Sequence, residues 1–327
     1  MQLGNIRKIG WSRGLIIISF LPILGFIFYI NIHGLTDGYI VYFEAFPLAL
    51  VPLVGGLTAI YKVWKRKLWR SALGFAVTAF GLGLIFWGLG TLVWGLYNVL
   101  LDVAVPYPSL ADIGYAITPM LWFVGIYFLY KATGTKYQLR SVWGKVVLIF
   151  VPLLVLLLTA YVVFYKFYGG IFTTDGNVLE LLLLVYYPVS DIFLLSPALV
   201  ITALAWKNLG GSLRKPILVV LGALVFMYLA DMAFAYTFSN DKYYNGNWVD
   251  LLWAVALFLL GLSINSILLP SATHRKLLLP LQCEDIFTQL ALKIIKEEEK
   301  IIGSKAWELA SEVNGLYVDE NRTFRIQ

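Results

Sequence analysis

Residues 61–100 read YKVWKRKLWRSALGFAVTAFGLGLIFWGLGTLVWGLYNVL. Five basic residues (Lys62, Lys65, Arg66, Lys67 and Arg70) crowd into the first ten positions, and the next thirty carry no charge. A run of that length suffices to cross about 30 Å of hydrocarbon at about 1.5 Å per helical residue. The basic cluster beside it has the character of a cytoplasmic connector, because lysine and arginine are retained on that side of a bilayer.

Outward from this stretch the same alternation recurs. Apolar blocks lie at 14–31 and 40–61 before it, and at 112–131, 146–166, 178–205, 216–238 and 248–270 after it. With 74–100 they predict eight transmembrane helices. Arg7, Lys8 and Arg13 precede the first. Lys131, Lys136, Arg140 and Lys145 follow the fourth, Lys207, Arg214 and Lys215 the sixth, and Arg275 and Lys276 the eighth. The other connectors hold Asp37, then Asp102, then Lys166 with Asp175 and Glu180, then Asp241 with Lys242. Every strongly basic segment falls on one side, which predicts a multi-pass protein of the cell membrane with both termini in the cytoplasm. The first block is too long for a secretory signal, and Asn31-Ile32-His33 offers no small-residue cleavage site, so it reads as the first membrane helix.

Composition agrees. Of 327 residues 60% are apolar and only 13% charged, with a mean hydropathy of +0.80, whereas about a quarter of a soluble domain is charged. The net charge of +6 sits in the connectors, where lipid headgroups explain it better than nucleic acid does. A single cysteine (Cys283) and two histidines (His33 and His274) exclude an internal disulfide and argue against a histidine-built metal centre. There is no Gly-x-Ser-x-Gly elbow, Walker loop or Gly-x-Gly-Asp protease signature, and no lysine inside the last two spans for a retinal Schiff base. Neither a catalytic constellation nor a cofactor is expected. Gly81-x-Gly83 and Gly88-x-Gly90, inside the third span, suit close helix packing.

Near residue 273 polar residues return. Ile286, Phe287, Leu290, Ala291 and Ile294 recur at helical spacing, and Gly303-Ser304 breaks and restarts a helix carrying Trp307, Ala310 and Val313. Residues 316–318 and 323–326 flank a hairpin turn at 319–322. The chain thus divides into an eight-helix domain, 1–272, and a small cytoplasmic helix-helix-hairpin module, 273–327, which is α+β. So small a module buries little apolar surface and is expected to dock on a cytoplasmic protein partner or on the membrane.

The residues with chemical potential are acids at membrane depth: Glu44, Asp102, Asp112, Asp191, Asp231 and Asp250. All fall from the midplane outward, and Tyr107, Tyr187 and Trp248 lie near them in sequence. An ionised carboxyl in hydrocarbon is costly, so such groups point to proton, cation or ligand binding. Blander roles compete. Asp112 and Asp250 fit helix N-termini, Asp102 and Glu44 fit the headgroup layer, and the outer aromatics fit an interfacial belt. Asp191 and Asp231, being deeper, require a partner such as Ser190, Tyr187 or Tyr228. Ser109-x-x-Asp112-x-x-Tyr115 and Asn247-x-x-Asp250-x-x-Trp253 match across the two halves, which suggests a parallel four-plus-four repeat.

The segment Pro106-Tyr107-Pro108-Ser109-Leu110-Ala111-Asp112-Ile113-Gly114-Tyr115 resembles the Pro-x-Pro-Ser-x-x-Asp-x-x-Tyr segment of a prokaryotic multi-helix membrane input domain. That domain often precedes diguanylate cyclases and histidine kinases. Tyr187-Pro188-Val189-Ser190-Asp191 resembles that family's Tyr-Pro-x-x-Asp segment, and Asp231 with Trp248-x-Asp250 resembles its final hairpin. The likeness spans residues 14–270 and implies a sensory or signalling role with an undefined ligand. No cyclase, kinase or phosphodiesterase follows here, so the resemblance implies a separate output partner. A proton- or cation-coupled secondary transporter and an intramembrane lipid-modifying enzyme are the rival expectations.

Overall fold

A computed structural model describes residues 10–103, 105–133, 141–161, 163, 178–205, 214–240, 242–267, 286–313, 316–318 and 324–326. Eight of its helical segments are long and apolar enough to cross a membrane. They are α1 (Trp11–Ile32), the pair α2 (Tyr39–Phe43) and α3 (Ala45–Lys65), α4 (Ala72–Val99), α5 (Ala111–Ala132), α6 (Val142–Ala160), α7 (Val178–Ala205), α8 (Arg214–Ser239) and α9 (Trp248–Ile267). The chain is an all-α, multi-pass membrane bundle.

Helix starts follow local chemistry. Ser71 Oγ and Ser141 Oγ each accept an amide hydrogen, from Gly74 and Gly144, at 3.0 Å. These caps start α4 and α6 two and four residues ahead of their apolar blocks. Pro188 and Pro197 leave α7 unbroken. That is tolerable in a bilayer when neighbouring groups satisfy the freed carbonyls.

The core lies where α3, α4 and α9 pack with α5 and α8. Phe80, Leu84, Trp122, Leu221 and Leu257 fill it. Glycine permits the close crossings. Gly55 of α3 lies against Gly261 of α9, Gly81 against Gly56, and a Cβ on Gly83 would strike the Trp122 indole. The paired glycines read from the third span therefore do pack helices. Helix α9 touches α1, α3, α4 and α8. Helices α4, α5, α7, α8 and α9 form a ring in which each packs on the next, and α6 leans on the outside of α7. Large apolar side chains such as Ile149, Phe150 and Leu157 point away from the protein, an arrangement suited to lipid.

The ends differ in charge. Arg13, Lys65, Arg70, Lys131, Lys145 and Lys215 cluster at one, the basic end; Asp37, Glu44, Asp102, Asp112, Glu180 and Asp250 lie toward the other, the acidic end. Farther along the chain, α10 (Ile286–Ile302) packs on α11 (Lys305–Ser311) through Ile295, Ala306, Trp307 and Ala310. Strands β1 (Leu316–Val318) and β2 (Phe324–Ile326) pair antiparallel. The turn expected at 319–322, together with Cys283 and His274, lies outside the described residues.

Candidate functional site

The deepest acids come together. Asp191, halfway along α7, and Asp231, about 12 Å in from the acidic end of α8, bring their carboxyls close enough for the two charges to interact. Asp191 is 9% exposed. The Trp253 indole of α9 donates from Nε1 to Asp231 Oδ1 at 2.8 Å. Three helices thus converge on one carboxyl pair.

The partners foreseen from sequence go elsewhere. Ser190 Oγ donates to the Tyr187 carbonyl in its own helix at 2.8 Å. The Tyr228 hydroxyl pairs with Thr159 Oγ1 of α6 at 2.8 Å. The Tyr187 hydroxyl donates to Asp112 Oδ1 at 2.7 Å. Asp191 and Asp231 lean on each other instead, because α7 and α8 are adjacent and each presents its acid at the shared face.

A second acid pair lies nearer the acidic end. Glu44, at the α2–α3 junction, is 2% exposed, and its Oε1 has no hydrogen-bond partner among the described residues. It lies close enough to Asp250 for the two charges to interact. Asp250 accepts from the Tyr243 hydroxyl at 3.0 Å and from the Gly246 amide at 2.5 Å. Burial and the neighbouring Asp250 and Glu44 carboxyls hold the Tyr243 phenol well above its ordinary range, so it remains a donor.

Aromatic rings join the two pairs. Trp253 touches Phe234 (5.2 Å between centroids), Tyr243 (6.5 Å) and Trp87 of α4 (6.2 Å), and Trp87 reaches Tyr115 at 5.7 Å. Tyr115 and Trp253 hold the same position in the two matched segments, three residues after an aspartate, and both meet Trp87. That shared position is the sequence signal for Trp253, which stands outside the initial set of site residues.

Asp112 and Asp250 are alike locally. Asp112 Oδ2 accepts the Ser109 amide at 2.7 Å while Ser109 Oγ accepts the Ala111 amide. Near Asp250, Asn247 Oδ1 accepts the Val249 amide at 2.8 Å. Both aspartates therefore secure a helix start and also hold a tyrosine from outside it. The remaining candidates lie at the surface. Asp102 is exposed, in left-handed backbone after α4, and Tyr107 and Trp248 are about half exposed at the bundle's rim.

Among the described residues no three His, Cys, Asp or Glu side chains come together as a metal site. What the site offers is two buried acid pairs, one shallow and one deep, separated by aromatic rings. Carboxyl groups held so close need a proton or a cation between them, since two bare negative charges in a medium of low polarity repel strongly. The chain matches no protein-family model, no curated protein and no solved structure.

Proposed function

We infer that the protein is a membrane receptor-like sensor whose Asp191–Asp231 pair binds a proton or small cation. The single observation that carries this is the meeting of the two carboxyls, one from α7 and one from α8, under the Trp253 indole. Occupancy of the pair sets how closely α7 and α8 approach. Binding can shift a helix arrangement only as far as the two states differ in affinity, and carboxyls that separate when empty supply that difference. The positive-inside rule favours the cell membrane, with the basic end in the cytoplasm and the ligand arriving from outside past Glu44 and Asp250. The likeness of residues 14–270 to prokaryotic input domains points the same way, with residues 273–327 passing the signal to a cytoplasmic partner.

The test is a thermal-shift screen over pH and monovalent and divalent cations on wild type, Asp191→Asn and Asp231→Asn. A response of the wild type that both variants lose supports the reading. Three identical responses sink it.

A coupled secondary transporter is the second reading, favoured by the graded depth of Asp250, Asp231 and Asp191. No acid continues that series in the basic half of α1, α3 to α5, or α7 to α9, which weighs toward sensing. Ion flux in proteoliposomes that survives deletion of residues 273–327 would decide for transport.

A further inference from the structure

The basic end carries its own unanswered charge, independent of the acid site. Lys62, in the last turn of α3, is only 6% exposed, and its ammonium donates to the Asn265 carbonyl of α9 at 3.0 Å. Arg13 of α1 and Arg66, just past α3, lie near enough for their positive charges to act on it. Among the described residues none of the three meets a carboxylate. The acids of these spans, Glu44 and Asp250, lie at the opposite end of the bundle.

Unpaired polar atoms gather here too: among the described residues Ser12 Oγ, which is fully buried, Arg13 Nε and Asn265 Oδ1 have no hydrogen-bond partner. A buried ammonium next to two guanidinium groups is unfavourable unless a counter-charge completes the cluster. The side of this corner is aromatic. Trp11 packs edge-on against Tyr61 at 5.7 Å, Tyr61 lies beside Trp64 at 6.4 Å, and all three rings are exposed. Exposed Trp and Tyr at helix ends lie at the level of lipid headgroups.

We propose that the corner between α1, α3 and α9 binds the phosphate of an anionic phospholipid. Lys62, Arg13 and Arg66 face the phosphate oxygens, and Trp11 and Tyr61 rest against the glycerol and upper chains. A soluble phosphate would satisfy the cations but leave the aromatic wall unused. The wall commits the site to lipid. Lys67 and Arg70, farther along the connector, supply only diffuse attraction to the leaflet.

The experiment measures phosphatidylglycerol against phosphatidylcholine retained by the full-length protein in neutral detergent, using native mass spectrometry. Wild type should retain phosphatidylglycerol selectively, and Lys62→Met and Arg13→Gln should each weaken retention roughly fivefold, the factor for one basic contact at a bilayer surface. Lys67→Gln, in the same connector, should stay within about twofold. Excess inorganic phosphate should not replace the lipid. If Lys62→Met fails to fold, Arg13→Gln decides alone. Equal retention of the two lipids by wild type overturns the proposal. So does unchanged retention in Arg13→Gln, an equal loss in Lys67→Gln, or full displacement by inorganic phosphate.

Discussion

At the scale of single residues, Trp253 bears the most on the site. Its indole donates to the Asp231 carboxyl, and it also contacts Trp87, Phe234 and Tyr243. Trp253→Phe keeps an aromatic ring but deletes the N–H. We expect a loss of about 1–2 kcal/mol, the upper range for a hydrogen bond inside a membrane bundle, read by denaturation in mixed micelles. An unchanged stability would separate Asp231 from the indole. Asp37 provides a contrasting case outside the spans. Its carboxyl accepts from the Tyr42 hydroxyl at 2.6 Å and from the Gly38 amide at 2.7 Å, and these bonds hold it below the ordinary aspartate range. A depressed carboxyl stabilises the fold above its unfolded value and loses that contribution as pH falls through the folded one. The Asp37 carbon resonance in NMR should therefore titrate at a higher pH in Tyr42→Phe than in wild type.

At the scale of elements, glycine fixes how near the helices come. A Cβ on Gly114 of α5 would meet the Phe86 carbonyl and the backbone of Gly90, neither of which can move aside cheaply. Gly222 of α8 has nothing within 4 Å of that position. Alanine is the better helix former by about 1 kcal/mol, so Gly222→Ala should be neutral or stabilising. Gly114→Ala should instead cost about 1–3 kcal/mol through overpacking, both measured by the same denaturation assay. Equal effects at the two sites would remove the close crossing as a source of stability. The elements themselves were legible from residue chemistry: apolar runs gave the spans, and Ser71 and Ser141 shifted two starts by two and four residues. The site was legible only in part. That Asp191 and Asp231 are deep follows from sequence position, but that they face each other depends on which helices are neighbours. Apolar periodicity says little about neighbours in lipid, because lipid-facing and core-facing residues are alike in polarity. The same limit hid the role of Trp253, whose indole finds Asp231 across a helix boundary, and the diversion of Tyr187 to Asp112.

For the whole molecule, charge asymmetry should decide orientation. Reporter fusions after Lys67 should be active in the cytoplasm and fusions after Asp37 outside it; the reverse would invert the acidic end and remove the external route to Asp191.

The position of α9 has a consequence for how the bundle is made. Asn265 donates from Nδ2 to the Gly55 carbonyl across 210 positions of sequence, at the crossing where α3 and α9 meet through glycine. Until α9 leaves the ribosome, α1, α3 and α4 lack the helix that packs against all three of them. Contacts so distant in sequence form late. Nascent chains arrested before Trp248 should accordingly remain protease-sensitive in the bilayer, and resistance should appear abruptly once Ile267 has been inserted.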